Sequence, residues 1–516
     1  MYWLLFFIAS APVIWLVISL SVLHMPAYRA CLAALGIAAA AARIFFGMDL
    51  HLVAEAALDG AALAFWPILF VIITAIFTYN LVVYTGAMKT IRSMLASVSS
   101  DRRVLVLLIA WGFGAFMEGM AGFGTAVAIP AGMLVGIGIS PIRAVAVCLV
   151  ANSVPSAYGS IGVPLITMAG IADMDVILLT RYAFIQLIPF VLLCPFLMTV
   201  VAGKSVRALR GMILPCLAAG VGFLVPGYLV ACLVGPELLA VTGAVCAMIA
   251  VVACVKLFPA EDPNFNVATD SAGQESLSVK TCLRACLPFL LIFVFLLLTS
   301  KLVRPVNEVL SSVKSTVLIY SGEGGVPYTF HWINTPGIFI LLSAFLGGSV
   351  QGARWGEMLQ LLKKTVWLLR YTVITIVSVI ATAKVMDYSG MTLEVARSIV
   401  TATGTAYPMV SALIGSVGTF ITGSATSSCI LFGKLQLSSA QAIGAGETLQ
   451  AWITASNAAG ASIGKIFSPQ CITIGAAAIG KQGIEGKLLQ FAVKVYLPFM
   501  LILGALVYLG QALIEE

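Results

Sequence analysis

The chain has 516 residues, of which 61% are hydrophobic and 9% are charged. An ordinary soluble domain carries about 25% charged residues, so this composition excludes a water-soluble fold. The formal net charge is +7, but Lys and Arg lie in short connections between apolar segments, which is the distribution that membrane insertion produces. We therefore expect a multi-pass protein of the lipid bilayer with no nucleic-acid partner.

Long apolar segments recur along the chain, and a helix needs ~20 residues to cross the hydrocarbon core. The segments lie at 3–23, 61–83, 104–116, 176–201, 221–255, 287–299, 338–346, 366–383 and 488–509. They predict an all-α polytopic membrane protein with about 12 to 14 spanning or half-spanning helices. The first 22 residues carry no charge. We interpret them as the first membrane anchor, with a retained signal peptide as the alternative.

One set of glycine, aromatic, asparagine and proline positions occurs twice at a nearly constant spacing. The offset is 304 residues for Tyr84/Tyr388, Gly86/Gly390, Gly114/Gly418, Phe116/Phe420 and Gly119/Gly423, and 305 for Asn152/Asn457, Gly159/Gly464 and Pro164/Pro469. Irregular backbone is tolerated at membrane depth only where it lines a cavity or is buried in protein. The duplication therefore predicts two repeats whose broken or re-entrant helices surround one site.

The charges of the matched connections predict that the two repeats are inverted. The connection after Tyr84 contains four basic residues and one acidic residue, whereas the connection after Tyr388 contains only Glu394 and Arg397. Basic connections stay in the cytoplasm. Equivalent connections with unequal charge are expected if the repeats enter the membrane in opposite senses.

Three regions follow from this division. We expect a first membrane repeat at 1–210, linking membrane helices at 211–300 with a polar loop at 259–280, and a second repeat at 301–516. A further polar connection at about 301–335 is expected to form a surface excursion.

Glu118 is the first candidate site residue, in the glycine-rich segment 114–124. A carboxylate at membrane depth is costly unless it is paired, hydrated or neutralised, so such a residue is a functional candidate. Burial disfavours its charged form, which would let it carry a proton. The alternative is a helix-end residue at the membrane interface. Gly119 and Gly122 allow a ligand or another segment to approach closely.

The matched break in the second repeat reads Thr422-Gly-Ser-Ala-Thr-Ser-Ser428. Hydroxyl groups and backbone N–H groups at the start of a half-helix can bind a small oxyanion. The candidate residues are Thr422, Gly423, Ser424, Thr426 and Ser427. The alternative is that these hydroxyl groups bond back to their own helix.

Amides and lysines complete the candidate set. Asn152 and Asn457 occupy matched places and either pin an unwound helix or contact substrate. Lys465 either supplies positive charge for a carboxylate substrate or extends to the membrane interface. Lys384 is a further intramembrane cation, and its spacing allows a local pair with Asp387.

Catalytic and metal-binding patterns are missing from the sequence. The three histidines, His24, His51 and His331, have no metal-ligand spacing, and the eleven cysteines lie mostly in apolar segments as small buried residues do. The glycines near Glu118 lack the context of a phosphate loop. We therefore expect no enzyme, no metal and no cofactor.

The motif residues resemble the lactate permease family of secondary transporters. The resembling segments are 118–124, 152–164, 388–391, 418–432 and 457–470. The resemblance implies a secondary active transporter of the plasma membrane, or of the inner membrane in a Gram-negative bacterium. It would import lactate, glycolate or a similar small 2-hydroxy monocarboxylate by proton symport and alternating access. The alternative is a sodium-coupled or passive transporter of another small organic anion.

The chain departs from the family pattern at the second break. Ala425 and Cys429 stand where the family commonly has Asp and Asn. An acidic group is therefore missing from this break, which leaves Glu118 as the clearest proton carrier among the motif residues.

Overall fold

The computed structural model describes residues 2–19, 23, 25–120, 122, 124–259, 262–266, 278–299, 303–325, 327–479 and 484–514. Helices make up most of this part of the chain, and its one sheet is a two-stranded hairpin.

The first half contains eleven α-helices. They are α1 (Tyr2–Val17), α2 (Ala27–Ile44), α3 (Leu50–Leu63), α4 (Phe70–Tyr84), α5 (Ala87–Ala96), α6 (Arg102–Val106), α7 (Gly114–Met120), α8 (Thr125–Gly136), α9 (Pro141–Ala151), α10 (Gly159–Ala172) and α11 (Val176–Gly203). Short π-helical segments, Ala64–Leu69 and Leu107–Phe113, join α3 to α4 and α6 to α7. A 3₁₀ turn, Pro155–Tyr158, joins α9 to α10.

Two linking helices follow, α12 (Ile213–Leu233) and α13 (Leu239–Leu257). They pack against each other, and they also pack on α11 and α7 respectively. Within the polar loop predicted at 259–280, residues 260–261 and 267–277 lie outside the described residues.

The second half contains the remaining helices and the hairpin. They are α14 (Val279–Thr299), α15 (Arg304–Ser311), β1 (Lys314–Val317), β2 (Tyr328–His331), α16 (Pro336–Gln351), α17 (Trp355–Leu368), α18 (Arg370–Tyr388), α19 (Met391–Thr403), α20 (Tyr407–Thr422), α21 (Ala425–Ala442), α22 (Glu447–Gly464), α23 (Pro469–Ala478) and α24 (Glu485–Ile514). Strands β1 and β2 are antiparallel, with Lys314 opposite His331.

The prediction of an all-α polytopic membrane protein is confirmed. Within the described residues, eight helices are long and apolar enough to span a membrane, or nine if the pair Pro141–Ala151 and Pro155–Ala172, bent by 58°, counts as one broken span. Shorter apolar helices lie at Leu4–Leu16, Thr125–Gly136 and Pro336–Gln351. These suit half-spanning pieces, because a full crossing takes ~20 residues.

The two halves exchange contacts reciprocally. Helix α2 packs on α18 and α16 on α4, α1 packs on α19 and α14 on α5, and α8 packs on α23 and α21 on α10. Each of these contacts thus has a counterpart in which the halves are swapped, which is what a two-fold relation between like units produces. The inverted sense of the repeats in the membrane stays a prediction.

Matched glycines turn the chain at equivalent places. Gly86 between α4 and α5 has φ of 77°, and Gly390 between α18 and α19 has φ of 83°. Both are left-handed conformations, which a residue without a Cβ adopts at no steric cost. The duplicated Tyr-x-Gly motif therefore encodes the same turn twice.

Helices α20 and α22 cross with their backbones in close contact. A Cβ on Gly460 would collide with the carbonyl oxygen of Ala412, and one on Gly464 would lie 2.7 Å from that of Ser416. Small residues at such crossings let membrane helices approach closely and gain van der Waals contact. The stretch of α22 that leads to Lys465 is thereby fixed against α20.

We predict that Gly460→Ala destabilises the protein, because the added methyl group must push the two backbones apart. The expected loss is about 1 to 3 kcal/mol, as for other overpacked interiors. Thermal unfolding of the purified protein in detergent measures it. Gly356→Ala on α17 is the matched control, since nothing lies within 4 Å of a Cβ there. Equal midpoints for both variants would contradict the close crossing.

Candidate functional site

A cavity of about 270 Å³ lies between the two halves. Its lining includes Ile72 of α4 and Ile376 of α18, which are separated by the repeat offset of 304. Both repeats therefore contribute equivalent positions to one shared cavity.

The structure brings most of the predicted site residues together at this cavity. Those that line it are Glu118, Gly122, Thr422, Gly423, Ser424, Thr426, Ser427 and Lys465. Gly119, Asn152 and Asn457 are not among the lining residues. The two broken regions thus share a site, although the matched asparagines stand outside its wall.

An ion pair joins the halves at the cavity. Lys465 Nζ lies 2.7 Å from Glu118 Oε1, and the side chains are 7% and 2% exposed. Lys465 therefore does not extend to the membrane interface, and Glu118 is not an interfacial residue. A Cβ on Gly159 would lie 2.8 Å from Glu118 Oε1, so this glycine leaves room for the carboxylate. The second oxygen, Oε2, is buried with no hydrogen-bond partner in the described part of the chain.

Four helices begin at the cavity. The lining includes Gly124 just before α8, Ser424 just before α21, Gln470 in the first turn of α23, and Pro164 of α10, whose regular helix begins only after the left-handed residues Ser160, Ile161 and Gly162. Helices α8 and α21 are counterparts in the two halves, and so are α10 and α23. Each helix N-terminus carries roughly half a positive charge and offers free N–H groups, which favour an anion. The cavity is therefore electropositive beyond the neutralised Glu118–Lys465 pair.

The hydroxyl groups of the second break divide into two kinds. Ser424 caps α21 by accepting a hydrogen bond from the Ser427 N–H at 3.2 Å. Thr422 Oγ1 donates to the Gly418 carbonyl at 2.8 Å and accepts from the Ser424 N–H at 3.2 Å. Thr422 and Ser424 thus hold the break open, while Thr426 and Ser427 add polar groups to the lining.

Gly423 permits a close contact at the same break. Its φ is 71°, and a Cβ there would collide with the side-chain amide of Gln470 at the start of α23. Larger residues would separate α21 from α23, so Gly423 keeps two of the helix starts together.

The matched asparagines and Gly119 have other surroundings. Asn457 accepts from Gln436 Nε2 at 3.2 Å and donates to the Ser428 carbonyl at 3.3 Å, which pins α22 to α21. Asn152 is buried at the end of α9, and its amide atoms have no partner among the described residues. Gly119 packs against α13, where a Cβ would lie 3.0 Å from Val241 Cγ2.

The sequence did not single out several lining residues. Ser160 lies within the first Asn-x6-Gly-x4-Pro run and lines the cavity in a left-handed conformation, with φ of 47°. Cys471 follows the second run. Tyr28 and Tyr371 also line the cavity, and their rings are in tilted contact with centroids 4.6 Å apart. The repeat offset was a usable signal for the pair Ile72 and Ile376, but no pattern marked the two tyrosines.

The suggested local pairing of Lys384 with Asp387 is wrong. Lys384 Nζ lies 3.0 Å from Asp59 Oδ2 on α3, and Asp387 Oδ2 lies 3.7 Å from Lys434 Nζ on α21. Helix α3 packs directly against α18, so Lys384 pairs with Asp59 of that neighbouring helix rather than with Asp387 one turn along its own helix.

The chain is similar in sequence to known permeases. A family model described as L-lactate permease matches residues 5–514. The L-lactate permease of Streptococcus iniae is 40% identical over 433 residues, which are 84% of this chain and 90% of the relative. The glycolate permease GlcA of Escherichia coli (strain K12) is 30% identical and covers 97% of this chain and 95% of the relative. The solved YdaH transporter of Alcanivorax borkumensis aligns at a TM-score of 0.47 and 13% identity, over 85% of this chain and 84% of that one.

The relatives from Streptococcus iniae and Escherichia coli are both named as permeases, so the expectation of a transporter rather than an enzyme is confirmed. Together with the apolar spanning helices, the match indicates a multi-pass protein of the cell membrane. Because the family model covers nearly the whole chain, this protein belongs to the L-lactate permease family.

Proposed function

We propose that this chain imports lactate or a similar small 2-hydroxy monocarboxylate, such as glycolate, together with protons. The observation that carries the proposal is the shared cavity, where four helix N-termini and Lys465 surround a single carboxylate, Glu118. The names of the relatives support the substrate class. The volume of about 270 Å³ suits a small anion.

The cavity offers a separate partner to each group of such a substrate. Lys465 and the N–H groups at the starts of α10, α21 and α23 would bind the carboxylate. Thr426 and Ser427 would hydrogen-bond the 2-hydroxyl group. Ile72 and Ile376 would contact the short carbon chain. Asn152, whose buried amide is unpartnered in the described residues, remains a candidate for orienting the nearby break.

Proton coupling follows from the charges in the buried site. Without substrate, Glu118 and Lys465 neutralise each other. A substrate carboxylate that binds Lys465 leaves two negative groups for one positive group, and a buried unpaired charge is expensive. Glu118 then takes up a proton because its charged form has lost its partner. The empty site and the loaded site are both close to neutral, so both can cross the membrane barrier.

Alternating access would proceed between the two repeats. If the connection after Tyr84 is cytoplasmic and the repeats are inverted, the start of α18 at Arg370 is cytoplasmic too. The preceding helix α17 contains Lys363 and Lys364, which agrees with the positive-inside bias. In that orientation, the contact between Tyr28 and Tyr371 would close the cytoplasmic end of the cavity.

We predict that Glu118→Gln abolishes accumulation of lactate driven by a pH gradient but retains lactate exchange. Glutamine resembles the protonated carboxyl group and cannot release a proton, whereas exchange needs no net proton movement. Radiolabelled uptake and counterflow in proteoliposomes measure the two activities. Glu447→Gln, at the exposed start of α22, is the matched control and should accumulate lactate normally.

Other outcomes of the same experiment separate the alternatives. Undiminished pH-driven accumulation by Glu118→Gln would exclude this carboxylate as the proton carrier. Uptake that depends on sodium rather than on the pH gradient would favour cation coupling. Equilibration without accumulation in the unmodified protein would indicate a passive transporter.

The inverted orientation predicts opposite exposure of matched positions. Ser97 and Thr401 are separated by the repeat offset of 304, and both are exposed. In a chain without its native cysteines, Ser97→Cys should react with an impermeant thiol reagent from the cytoplasmic side, and Thr401→Cys should react from the other side. Labelling of intact cells and of inverted vesicles measures this. Reaction of both from one side would exclude inverted repeats.

A further inference from the structure

A second group of charges lies outside the cavity, where α3, α18 and α21 meet. Asp59 Oδ2 lies 3.0 Å from Lys384 Nζ and accepts a hydrogen bond from the Tyr388 hydroxyl at 2.9 Å. The Asp59 side chain is 3% exposed and that of Lys384 is 14% exposed. Asp387 and Lys434 form a longer pair beside it, at 3.7 Å. The symport mechanism proposed above uses none of these residues.

This cluster lies along the same helices that form the second-repeat wall of the cavity. On α18, Lys384 is eight residues beyond the cavity-lining Ile376, and on α21, Lys434 is eight residues beyond the cavity-lining Thr426. Eight residues of α-helix rise ~12 Å. Because α18 and α21 pack together, the charges lie about one such distance from the cavity. They lie toward the C-terminal end of α18, away from the contact between Tyr28 and Tyr371 at its start.

Apolar side chains occupy the helix surfaces between the cavity and the charges. Val379 and Ile380 of α18 and Ile430 of α21 are buried in one core cluster with the cavity-lining Ile376. Helix α3 closes against this layer, since a Cβ on Gly60 would lie 2.6 Å from the Ala381 Cα. Passage from the cavity in this direction therefore requires α3 and α18 to separate.

The loop of the β-hairpin covers the cluster from outside. The Tyr320 ring stacks on the Tyr388 ring with centroids 3.8 Å apart. Ser321 donates two hydrogen bonds to Glu55 of α3, from its N–H at 2.8 Å and its hydroxyl at 2.6 Å. On one side of the cavity, the apolar layer is therefore followed by the Asp59–Lys384 ion pair and then by the hairpin loop.

We propose that Asp59 and Lys384 form a gate between the repeats, which closes the extracytoplasmic side of the cavity and separates when substrate exchanges with that side. The location of this side rests on the proposed function and on its inverted repeats. Asp59 belongs to the first half and Lys384 to the second, so relative movement of the halves breaks the pair. Breaking a buried pair is costly unless water reaches both charges. The closed state is therefore favoured until the path is wetted.

The test measures access to the apolar layer in the absence of substrate. Ile380→Cys, in a chain without its native cysteines, places a thiol one turn from Lys384 on α18. Adding Asp59→Asn should speed its reaction with an impermeant thiol reagent by about tenfold or more, because one partner of a buried ion pair is lost. The increase is expected only from the side of the hairpin. Exchanging the charges, Asp59→Lys with Lys384→Asp, should lower the rate again.

Two further variants keep the result interpretable. Tyr388→Phe removes one hydrogen bond to Asp59 and no charge, so it should fold and give a smaller increase. Arg43→Gln breaks the ion pair between Arg43 and Asp49, which is also 3.0 Å long but 54% and 62% exposed, and should leave labelling unchanged. Unchanged labelling in both Asp59→Asn and Tyr388→Phe, or an increase only from the opposite side, would overturn the gate. The labelling is measured without substrate. If the protein failed to take up lactate, the proposed function would be refuted, but the labelling would still test the gate.

Discussion

The buried contact between Glu118 and Lys465 is the interaction around which the rest of the structure is arranged. A charged carboxylate or ammonium group at membrane depth is costly, pairing lowers that cost, and each half of the chain supplies one of the two groups. Gly159 leaves room for the carboxylate, and the crossing of α20 with α22 fixes the helix that ends beside Lys465. The pair therefore ties the assembly of the two halves to the charge state of the site.

Duplication explains how one small cavity obtains so many helix starts. Each half supplies two helices whose N-termini meet there, and the exchanged packing of the halves brings all four together. Either half alone would expose these polar helix ends to lipid, where unsatisfied backbone groups cost several kcal/mol each. The same arrangement that satisfies the backbone thus supplies the N–H groups of the proposed anion site.

The sequence was sufficient for the fold class, and it indicated part of the cavity lining, because both depend on local costs. Glu118 and the hydroxyl-rich break at 422–428 stand out in apolar surroundings, and the repeat offset links them. The ion pair between Glu118 and Lys465 was not predictable, since the two residues are 347 positions apart. The spacing of Lys384 and Asp387 favours a pair on one helix face, but Asp59 of α3 lies closer to the lysine. Such choices depend on how helices pack, which periodicity does not determine.

Helices α12 and α13 stand outside the reciprocal scheme. Through α13 they contact α7 at Gly119 and the preceding π-helical segment at Gly112, where a Cβ would collide with Met248. The matching helix of the second half, α20, has its main contacts with α21, α22 and α24. If the two halves exchanged conformations, the resulting molecule would therefore differ from the starting one in its contacts with α12 and α13. In the proposed alternating-access cycle, the two end states would therefore differ in free energy even without substrate, and the empty carrier would prefer one side.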